Sequence, residues 1–407
     1  MATKYINNKS GTITNTGEPL RFAHPFITTV PISKRANIPG VGTRMTDHIK
    51  TKLEQIPKPK REPTMALTEI IGKTGVAEIE KAKSISFHAV GDTGNQTSAM
   101  PELISEAMAS DYKIAKPGNS PAFFLHLGDV NYYDNTDQGY HAQFYAPYKN
   151  YPGKIIAIPG NHDGELFKFD GTSTGQASTL EAFQNNFCQA KPGVPPAAGT
   201  IFREMISQPA VYWVLNAPFA DIIGLYSNIA ENPGYISTPE IGKSQKDWLV
   251  KTLTAIQTER KKGNQKALII AVHHPPISGG GGHGSSTEML ADIDDTCTKT
   301  GIIPDAVLAA HAHNYQRFTR FVNFQGKQFE IPFIVCGSGG RGITKVNKAD
   351  GKKNGGQRFD KSFTEYGYLL ATVTEKLLTI SFSQVDNNGN KKPMDKVVVD
   401  LKTNMLK

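Results

Sequence analysis

Five short apolar runs along this chain of 407 residues each end abruptly in a cluster of polar residues. The runs have the length of buried strands, and a Gly, an Asn or a His marks the point where each is predicted to stop. The five clusters, called motifs below, are Gly91-Asp92-Thr93-Gly94, Gly128-Asp129-Val130-Asn131-Tyr132-Tyr133, Gly160-Asn161-His162-Asp163, Val272-His273-His274-Pro275 and His311-Ala312-His313. Because open α/β sheets bind ligands at the carboxyl ends of their strands, the five motifs predict a single site.

The same pattern predicts most of the elements between the motifs. Strands are predicted over residues 85–90, 123–127, 154–158, 211–215, 221–226, 267–272, 306–310 and 333–336, and helices over residues 100–110, 244–257 and 288–294. Residues 211–226 are expected to fold as a hairpin. Apolar residues alternate with polar ones between residues 366 and 401, which predicts antiparallel strands at the end of the chain.

Residues 1–83 lack this regularity. Pro and Gly recur in them, and Lys58-Pro59-Lys60-Arg61-Glu62-Pro63 is typical of an extended linker. Short helices are predicted over residues 46–55 and 65–71. We interpret residues 1–83 as an irregular extension that packs on, or is tethered to, a main domain of residues 84–407. Residues 164–210, which are rich in Gly, Pro, Gln and Asn, are interpreted as an insertion in that domain.

The net charge of +8 is concentrated in the extension, where 14 Lys and Arg accompany 7 Asp and Glu. A solvated arm is the favoured interpretation, because no aromatic residues alternate with the basic ones as they do in segments that stack on nucleic acid. Attraction of the extension to an anionic partner such as nucleic acid is the alternative.

Three cysteines, Cys188, Cys297 and Cys336, lie far apart without CxxC spacing. They predict neither a disulfide framework nor a cysteine zinc site, and we expect ordinary buried thiols. No apolar run approaches the roughly 20 residues that span a bilayer, so no membrane segment is expected. The first residues lack the apolar segment of a secretory signal, which predicts a cytoplasmic protein. A periplasmic or secreted protein with a trimmed leader would look the same.

The motifs together contain the side chains that bind transition metals. The candidate ligands are Asp92, Asp129, Tyr132, Asn161, His273, His311 and His313. Carboxylate, imidazole, phenolate and amide oxygen suit iron, zinc and manganese. Two ions roughly 3.5–4 Å apart need a bridging ligand, for which Asp129 is the candidate, and such a pair clamps both oxygens of a phosphoryl displacement. His311 and His313 lie two apart, so an extended backbone would place both rings on one side.

Each motif taken alone has a plainer interpretation as a turn, a loop or a structural histidine. His88, His126 and His141 are interpreted as structural, because no partner motif surrounds them. The Gly-rich stretch of residues 337–341 is interpreted as a plain turn in preference to a loop that approaches phosphate. The occurrence of all five motifs, each after an apolar strand, favours the metal site.

The series GDTG, GDVNYY, GNHD, VHHPP and HAHNYQR resembles the five-block signature of the calcineurin-like metallophosphoesterases. More narrowly, it resembles the purple acid phosphatase branch, in which a Tyr three residues after the second Asp binds ferric iron. Tyr132 occupies that position. The resemblance covers residues 84–320 apart from the insertion and extends through the C-terminal strands, and it implies a four-layer α/β/β/α sandwich of two mixed sheets. Ala310 stands where the family usually has Gly.

The resemblance also implies a role for each ligand. Fe(III) would be held by Asp92, Asp129, Tyr132 and His313. A second ion, Fe(II), Zn(II) or Mn(II), would be held by Asp129, Asn161, His273 and His311. His162 would contact the phosphate. His283, after the Gly-rich residues 279–282, would contact the substrate and protonate the leaving alcohol, and His274 competes for this role.

The implied activity is hydrolysis of phosphomonoesters of the acid phosphatase type, by in-line attack of a metal-activated hydroxide. The substrate would be a phosphorylated small molecule or protein, and the oligomeric state is left open. Two alternatives remain. One is a phosphodiesterase that acts on cyclic nucleotides or nucleic acid, and the other is a non-catalytic binding protein on the same fold.

Overall fold

The structure, a computed structural model, describes residues 53–113, 115–168, 170–280 and 283–407. The predicted helix over residues 46–55 therefore lies outside the described residues, apart from its last three, which are not helical. Within the described ranges, no helix is both long enough and apolar enough to cross a membrane.

The strands are β1 (Thr64–Ala66), β2 (Ile85–Val90), β3 (Phe123–His126), β4 (Lys154–Ala157), β5 (Trp213–Asn216), β6 (Ala220–Leu225), β7 (Ala267–Val272), β8 (Ala306–Ala309), β9 (Tyr315–Phe324), β10 (Lys327–Cys336), β11 (Lys353–Asn354), β12 (Gln357–Phe363), β13 (Gly367–Val373), β14 (Leu377–Val385), β15 (Lys391–Asp400) and β16 (Met405–Leu406). The helices are α1 (Leu67–Ala82), α2 (Met100–Ala109), α3 (Asp137–Tyr140), α4 (Asn161–Gly164), α5 (Glu181–Phe187), α6 (Ser244–Lys261) and α7 (Thr287–Thr300). Most predicted strands match to within two residues, whereas α6 and α7 extend beyond the predicted helices and β9 has no predicted counterpart.

Two mixed sheets carry the fold. One has nine strands in the order β1-β5-β6-β7-β8-β10-β9-β12-β11, and the other has seven in the order β16-β15-β14-β13-β2-β3-β4. β6, β7, β8 and β10 run parallel in the first sheet, and β2, β3 and β4 run parallel in the second. The predicted α/β fold with two mixed sheets is confirmed. The predicted hairpin of β5 and β6 and the antiparallel strands β13 to β15 are also present.

The strands that lead to the motifs lie in the most buried part of the fold. Every residue of β2, β3, β4, β7 and β8 is buried except one in β2. Parallel strands that are covered on both faces read as continuous apolar runs, which explains why the sequence pattern identifies them. Along much of β14, buried residues alternate with half-buried ones, so one face of this strand is packed on the core and the other is more exposed to solvent. Apolar side chains of both sheets, among them Phe87 and Leu308, belong to one core cluster.

Regular structure begins inside the segment of residues 1–83. β1 pairs in parallel with β5 at the edge of the nine-stranded sheet, with Met65 opposite Leu215. α1 follows at once and is kinked at Gly72, whose backbone is not helical (φ 73°), directly after the predicted helix over residues 65–71. The helix then continues to Ala82, and it buries Leu67 and Ile79 among other apolar side chains. The chain from Thr64 onward therefore contributes to the packed core.

The buried side chain of Arg203 anchors the segment of residues 164–210. Its guanidinium donates to the carbonyl oxygens of Tyr148, Tyr151 and Gly153 at 2.5, 2.6 and 3.2 Å. Burial lowers the pKa of Arg203 to about 10. Because β4 begins directly after these carbonyl groups, the segment helps to fix the strand that leads to Asn161.

Candidate metal centre

The five motifs follow five buried strands whose carboxyl ends converge. Asp92, Asp129 and Asn161 lie within four residues of the ends of β2, β3 and β4 in the seven-stranded sheet. His273 and His311 lie within two residues of the ends of β7 and β8 in the nine-stranded sheet. The strands of each group run parallel, so their polar ends point to the same side. All seven predicted ligands are brought together there, in two clusters.

The first cluster, called the tyrosine cluster, consists of Asp92, Tyr132 and His313. The hydroxyl of Tyr132 donates to Asp92 Oδ1 at 2.9 Å and lies 3.1 Å from His313 Nε2. His313 Nε2 lies 3.4 Å from the same Asp92 oxygen. Three potential ligand atoms therefore lie within hydrogen-bond range of one another.

The second cluster, called the histidine cluster, consists of Asp129, Asn161, His273 and His311. His273 Nε2 lies 3.3 Å from Asp129 Oδ2 and 3.2 Å from Asn161 Oδ1. One ligand atom each from Asp129, His273 and His311 lie within 4.8 Å of one another. All four side chains are buried.

Both clusters fit a metal ion. Ligand atoms bound to one ion at about 2.0–2.2 Å lie roughly 3 to 3.5 Å apart. The tyrosine cluster has this spacing, and so do the separations of His273 Nε2 from Asp129 and Asn161, whereas the His311 atom lies within the wider limit of 4.8 Å from its neighbours. Asp129 Oδ2 is buried and, apart from the imidazole of His273 at 3.3 Å, faces no hydrogen-bond donor among the described residues, which leaves it able to bind a cation. His273 Nδ1 donates to the carbonyl oxygen of Leu127 at 2.8 Å, and this bond orients Nε2 toward the cluster.

The charges of the clusters depend on one another. Burial raises the pKa of Tyr132 well above its ordinary value, and the charges of Asp129 and Asp92 raise it further. Burial lowers the pKa of His273, but the Asp129 carboxylate outweighs this effect and raises it to about 9. Burial likewise opposes ionisation of Asp129, while His273 and His162 hold the pKa of its carboxyl far below the ordinary value. Because ligands bind metals in their deprotonated forms, binding would release protons from this network.

Three of the ligands have left-handed backbone conformations. The φ angles of Asp92, Asp129 and His311 are 57°, 55° and 65°. This conformation costs an L-residue roughly 1–2 kcal/mol, so its occurrence at three ligands is a sign of functional constraint. The surrounding turns maintain it through bonds such as that from the backbone N–H of His311 to Asp92 Oδ2, at 2.7 Å.

Close approach between the motifs depends on glycine at Gly160. A Cβ atom at this position would lie 2.1 Å from Asp129 Oδ1, so no side chain fits between the second and third motifs. The departure from the family at Ala310 is accommodated, because its φ angle is not positive and its Cβ lies where Gly91 leaves space. The substitution therefore does not disturb the turn that carries His311.

His162 lies beside the tyrosine cluster and is paired with a carboxylate. Its ring centroid is 4.4 Å from that of Tyr132 and 4.9 Å from that of Tyr133. Its Nδ1 lies 2.9 Å from Glu165 Oε2, and both side chains are buried. Burial lowers the pKa of His162, but the Glu165 carboxylate, with Tyr133 and Asp129, raises it well above its usual value.

His283 and His274, the two competing substrate-contacting residues, have different surroundings. His274 is fully buried, and both of its ring nitrogens are engaged: Nε2 donates to the carbonyl oxygen of Ala230 at 2.8 Å, and Nδ1 lies 2.7 Å from Ser227 Oγ. Burial lowers the pKa of His274 to about 3. His283 packs against His311 with ring centroids 4.2 Å apart, and its Nδ1 has no hydrogen-bond partner among the described residues.

The three histidines interpreted as structural are engaged away from the clusters. His88 contacts Tyr151 and Asp111, and His141 lies 3.3 Å from the carbonyl oxygen of Ala197. His126 accepts the backbone N–H of Gly128 at 3.2 Å through Nδ1 and bonds Thr93 through Nε2. His126 therefore ties the first motif to the second without facing the ligands.

Three charged residues at the site were missed by the sequence patterns. Glu165 pairs with His162, and Glu231 Oε2 accepts the side-chain amide of Asn161 at 3.2 Å. The guanidinium of Arg341 lies over the rings of Tyr132 and Tyr133. The proximity of Glu165 to the third motif could have suggested it, and the Gly-rich stretch before Arg341 was noted but interpreted as a turn. No local signal marks Glu231.

A family comparison agrees with this geometry. The model of the calcineurin-like phosphoesterase family matches residues 85–315, which is more than half of the chain. The chain belongs to this family. The matched range contains the five motifs and all seven predicted ligands of this phosphoesterase. Metal-dependent phosphoester hydrolysis is the chemistry that the family and the two clusters support. No curated protein matches the phosphoesterase by sequence.

Solved structures share the fold of the phosphoesterase at low sequence identity. Purple acid phosphatase PPD1 from yellow lupin (Lupinus luteus) seeds aligns with a TM-score of 0.53 and 14% identity, over 78% of this chain and 54% of that chain. GAP50, the anchor in the inner membrane complex of Plasmodium, aligns with a TM-score of 0.50 and 10% identity, over 79% of this chain and 91% of that chain. PhoD aligns with a TM-score of 0.50 and 14% identity, over 80% of this chain and 71% of that chain. The chain thus spans about half of the lupin protein, and these likenesses show the fold alone.

Replacing Asp129 by Asn should remove metal. The amide keeps the shape of the side chain but loses the negative charge that faces His273 and acts on Tyr132, so we expect the content to fall from about two ions per chain to one or none. Metal analysis after dialysis measures this. Asp221→Asn is the control, because Asp221 pairs with Lys266 away from the site and its loss should leave the content unchanged. An Asp129→Asn protein that retains both ions would contradict the two-cluster site.

Proposed function

We propose that this phosphoesterase hydrolyses phosphomonoesters with two metal ions, as an acid phosphatase of the purple acid phosphatase branch. Membership in the calcineurin-like family supports phosphoester hydrolysis. The single observation that carries the finer proposal is the hydroxyl of Tyr132, which lies between Asp92 and His313. A phenolate oxygen among such ligands is a hard donor that suits Fe(III).

The two clusters divide the ligands between two ions. We assign Fe(III) to Asp92, Asp129, Tyr132 and His313, and Fe(II), Zn(II) or Mn(II) to Asp129, Asn161, His273 and His311. Asp129 is the shared ligand, since it contacts the histidine cluster directly and its charge acts on Tyr132 in the other. When bound, such a pair polarises the phosphoryl group and supplies hydroxide at neutral pH.

His162 supplies positive charge to the phosphoryl group. Glu165 holds the imidazole through Nδ1 and favours its protonated form. Nε2 is thereby left as the donor for a phosphoryl oxygen, whose negative charge grows in the transition state. Glu165 does not touch the substrate in this scheme and acts as a positioning residue for His162.

His283 is the better candidate for the acid that protonates the leaving alcohol. Both nitrogens of His274 are committed to Ser227 and Ala230, so that ring has no donor left for a substrate. His283 lies against His311 and has an uncommitted nitrogen. A group that delivers a proton needs a free nitrogen within reach of the reacting oxygen, and only His283 of the two meets this condition.

A non-catalytic role on the same fold is the competing function. One structural neighbour, GAP50, is described as an anchor, although its likeness of 10% identity concerns the fold alone. A protein that had lost catalysis would be free to lose its ligands. The complete set of seven in two clusters supports the enzyme.

Replacing Tyr132 by Phe should abolish visible absorption by the iron-loaded protein. A charge-transfer band requires the phenolate oxygen as a ligand, and Phe removes only that atom. Visible spectra with parallel metal analysis measure the effect. Tyr133→Phe is the control and should keep the band, because Tyr133 packs on His162 outside the tyrosine cluster.

Two results would contradict the assignment to the purple acid phosphatase branch. One is a band that persists in Tyr132→Phe. The other is a colourless wild-type protein that contains two ions of zinc or manganese, which would leave phosphoester hydrolysis in place but remove ferric tyrosinate.

Replacing His283 by Asn should slow the hydrolysis of alkyl phosphates far more than that of aryl phosphates. A poor leaving alcohol needs a proton and a nitrophenolate does not, so we expect a loss of about 10²-fold or more for the alkyl ester and a much smaller loss for the aryl ester. Steady-state rates on both esters measure this. His274→Asn is the comparison and should lower stability without changing the ratio of the two rates. Equal losses on both esters in His283→Asn would contradict the role.

A further inference from the structure

The Gly-rich stretch of residues 337–341 is bonded to the first and last motifs. It follows β10, and the backbone N–H of Gly337 donates to the carbonyl oxygen of Asn314 at 3.2 Å. The N–H of Gly339 donates to Gly91 O at 3.1 Å, and that of Arg341 donates to Asp92 O at 2.9 Å. The stretch therefore forms a wall of the site, where the sequence pattern suggested a plain turn.

Glycine is required in this wall by close contact. A Cβ at Gly337 would lie 2.2 Å from the carbonyl oxygen of Ala312 and 2.5 Å from Asp92 Oδ2. A Cβ at Gly339 would lie 2.3 Å from Gly91 O. The glycines thus bring the backbone against the ligand-bearing turns, which gives the next side chain, Arg341, a defined position.

Arg341 is held on the faces of two tyrosines at the site. Its guanidinium carbon lies 4.5 Å from the ring centroid of Tyr132 and 5.2 Å from that of Tyr133. These are cation–π distances, and the guanidinium also bonds the Tyr133 side chain. The side chain is half-buried, and no ion pair joins it to a carboxylate in the described part of the chain.

The charge of Arg341 is hard to explain without an anion. It lies on the rings of Tyr132 and Tyr133, which also contact His162, and beside the cluster that would bind a metal ion. When metal ions neutralise the carboxylates of the site, a further cation there is unfavourable unless the site receives a negatively charged occupant. Guanidinium matches phosphate in geometry, since it offers parallel N–H donors to two oxygens.

We propose that Arg341 binds the phosphoryl group of the substrate and selects dianionic phosphomonoesters over phosphodiesters. This inference rests on the proposed function and extends it to the choice of substrate class. A monoester dianion has three non-bridging oxygens, which can be shared among the metal pair, His162 and Arg341. A diester has only two such oxygens and one negative charge, so it gains less from an additional cation.

The test compares Arg341→Gln with the wild-type holoenzyme in two measurements. One is the affinity for inorganic phosphate by calorimetry, which does not depend on turnover. The other is the ratio of kcat/KM for p-nitrophenyl phosphate to that for bis(p-nitrophenyl) phosphate. Lys345→Gln is the control, because it removes one positive charge from the same segment. Lys345 is exposed and has no described contact with the candidate ligands.

We expect Arg341→Gln to weaken phosphate binding about 10- to 100-fold and to lower the ratio by at least about tenfold, with unchanged metal content. Lys345→Gln should match the wild type in both. Unchanged phosphate affinity, or equal losses on the two esters, would overturn the proposal. If the Arg341→Gln protein loses metal, the affinity of an Arg341→Lys protein for inorganic phosphate decides. An affinity weakened several-fold would support the proposal. An unchanged affinity would show that Arg341 only packs on the tyrosines.

Failure of the proposed function would look different. A wild-type holoprotein that hydrolyses neither ester, but whose phosphate affinity falls at least about tenfold in Arg341→Gln, would contradict the phosphatase. It would still support Arg341 as the residue that binds phosphate.

Discussion

The buried charge of Asp129 is the constraint on which the rest of the site depends. The carboxylate is fully buried, accepts the backbone N–H of His162 at 3.0 Å on Oδ1, and faces His273 at 3.3 Å on Oδ2. An uncompensated charge in such a position costs several kcal/mol, so a cation has to lie beside it. A protonated His273 or a metal ion can serve, and the two exclude each other because both occupy Nε2. Metal binding at His273 therefore requires loss of the proton from Nε2.

The elements that bear the ligands could be predicted because local sequence determines them. β7 and β8 are continuous apolar runs and β2 and β3 are largely apolar, since both of their faces are covered, and an abrupt polar residue marks where each leaves the core. Parallel strands direct their carboxyl ends to one side of their sheet, which brings Asp92, Asp129 and Asn161 together on one sheet and His273 and His311 on the other. The contact between the two groups, such as His273 with Asp129, depends on how the two sheets pack. The division of the ligands between two ions came from family resemblance and stays a prediction, and the structure groups the same side chains into two clusters.

The remaining features depend on contacts between distant parts of the chain. β9 mixes polar and apolar residues and includes the buried Arg317, which pairs with Asp395, so no apolar run identifies it. α7 continues past its predicted end through Thr296 and Cys297, which are buried but carry a weak hydrophobic signal. Arg341 reaches the site only because β10 lies beside β8 and because the glycines between β10 and Arg341 allow contact with the first motif. None of these relations is visible in a window of neighbouring residues.

Titration of metal-free protein with iron and zinc, while hydrolysis of p-nitrophenyl phosphate is followed, tests the dimetal site most directly. The candidate ligands form two clusters, and we proposed that Asp129 is shared between them, so about two ions per chain should bind and activity should reach its maximum only as the second ion binds. Full activity after one equivalent, or hydrolysis by the metal-free protein, would contradict the dimetal account.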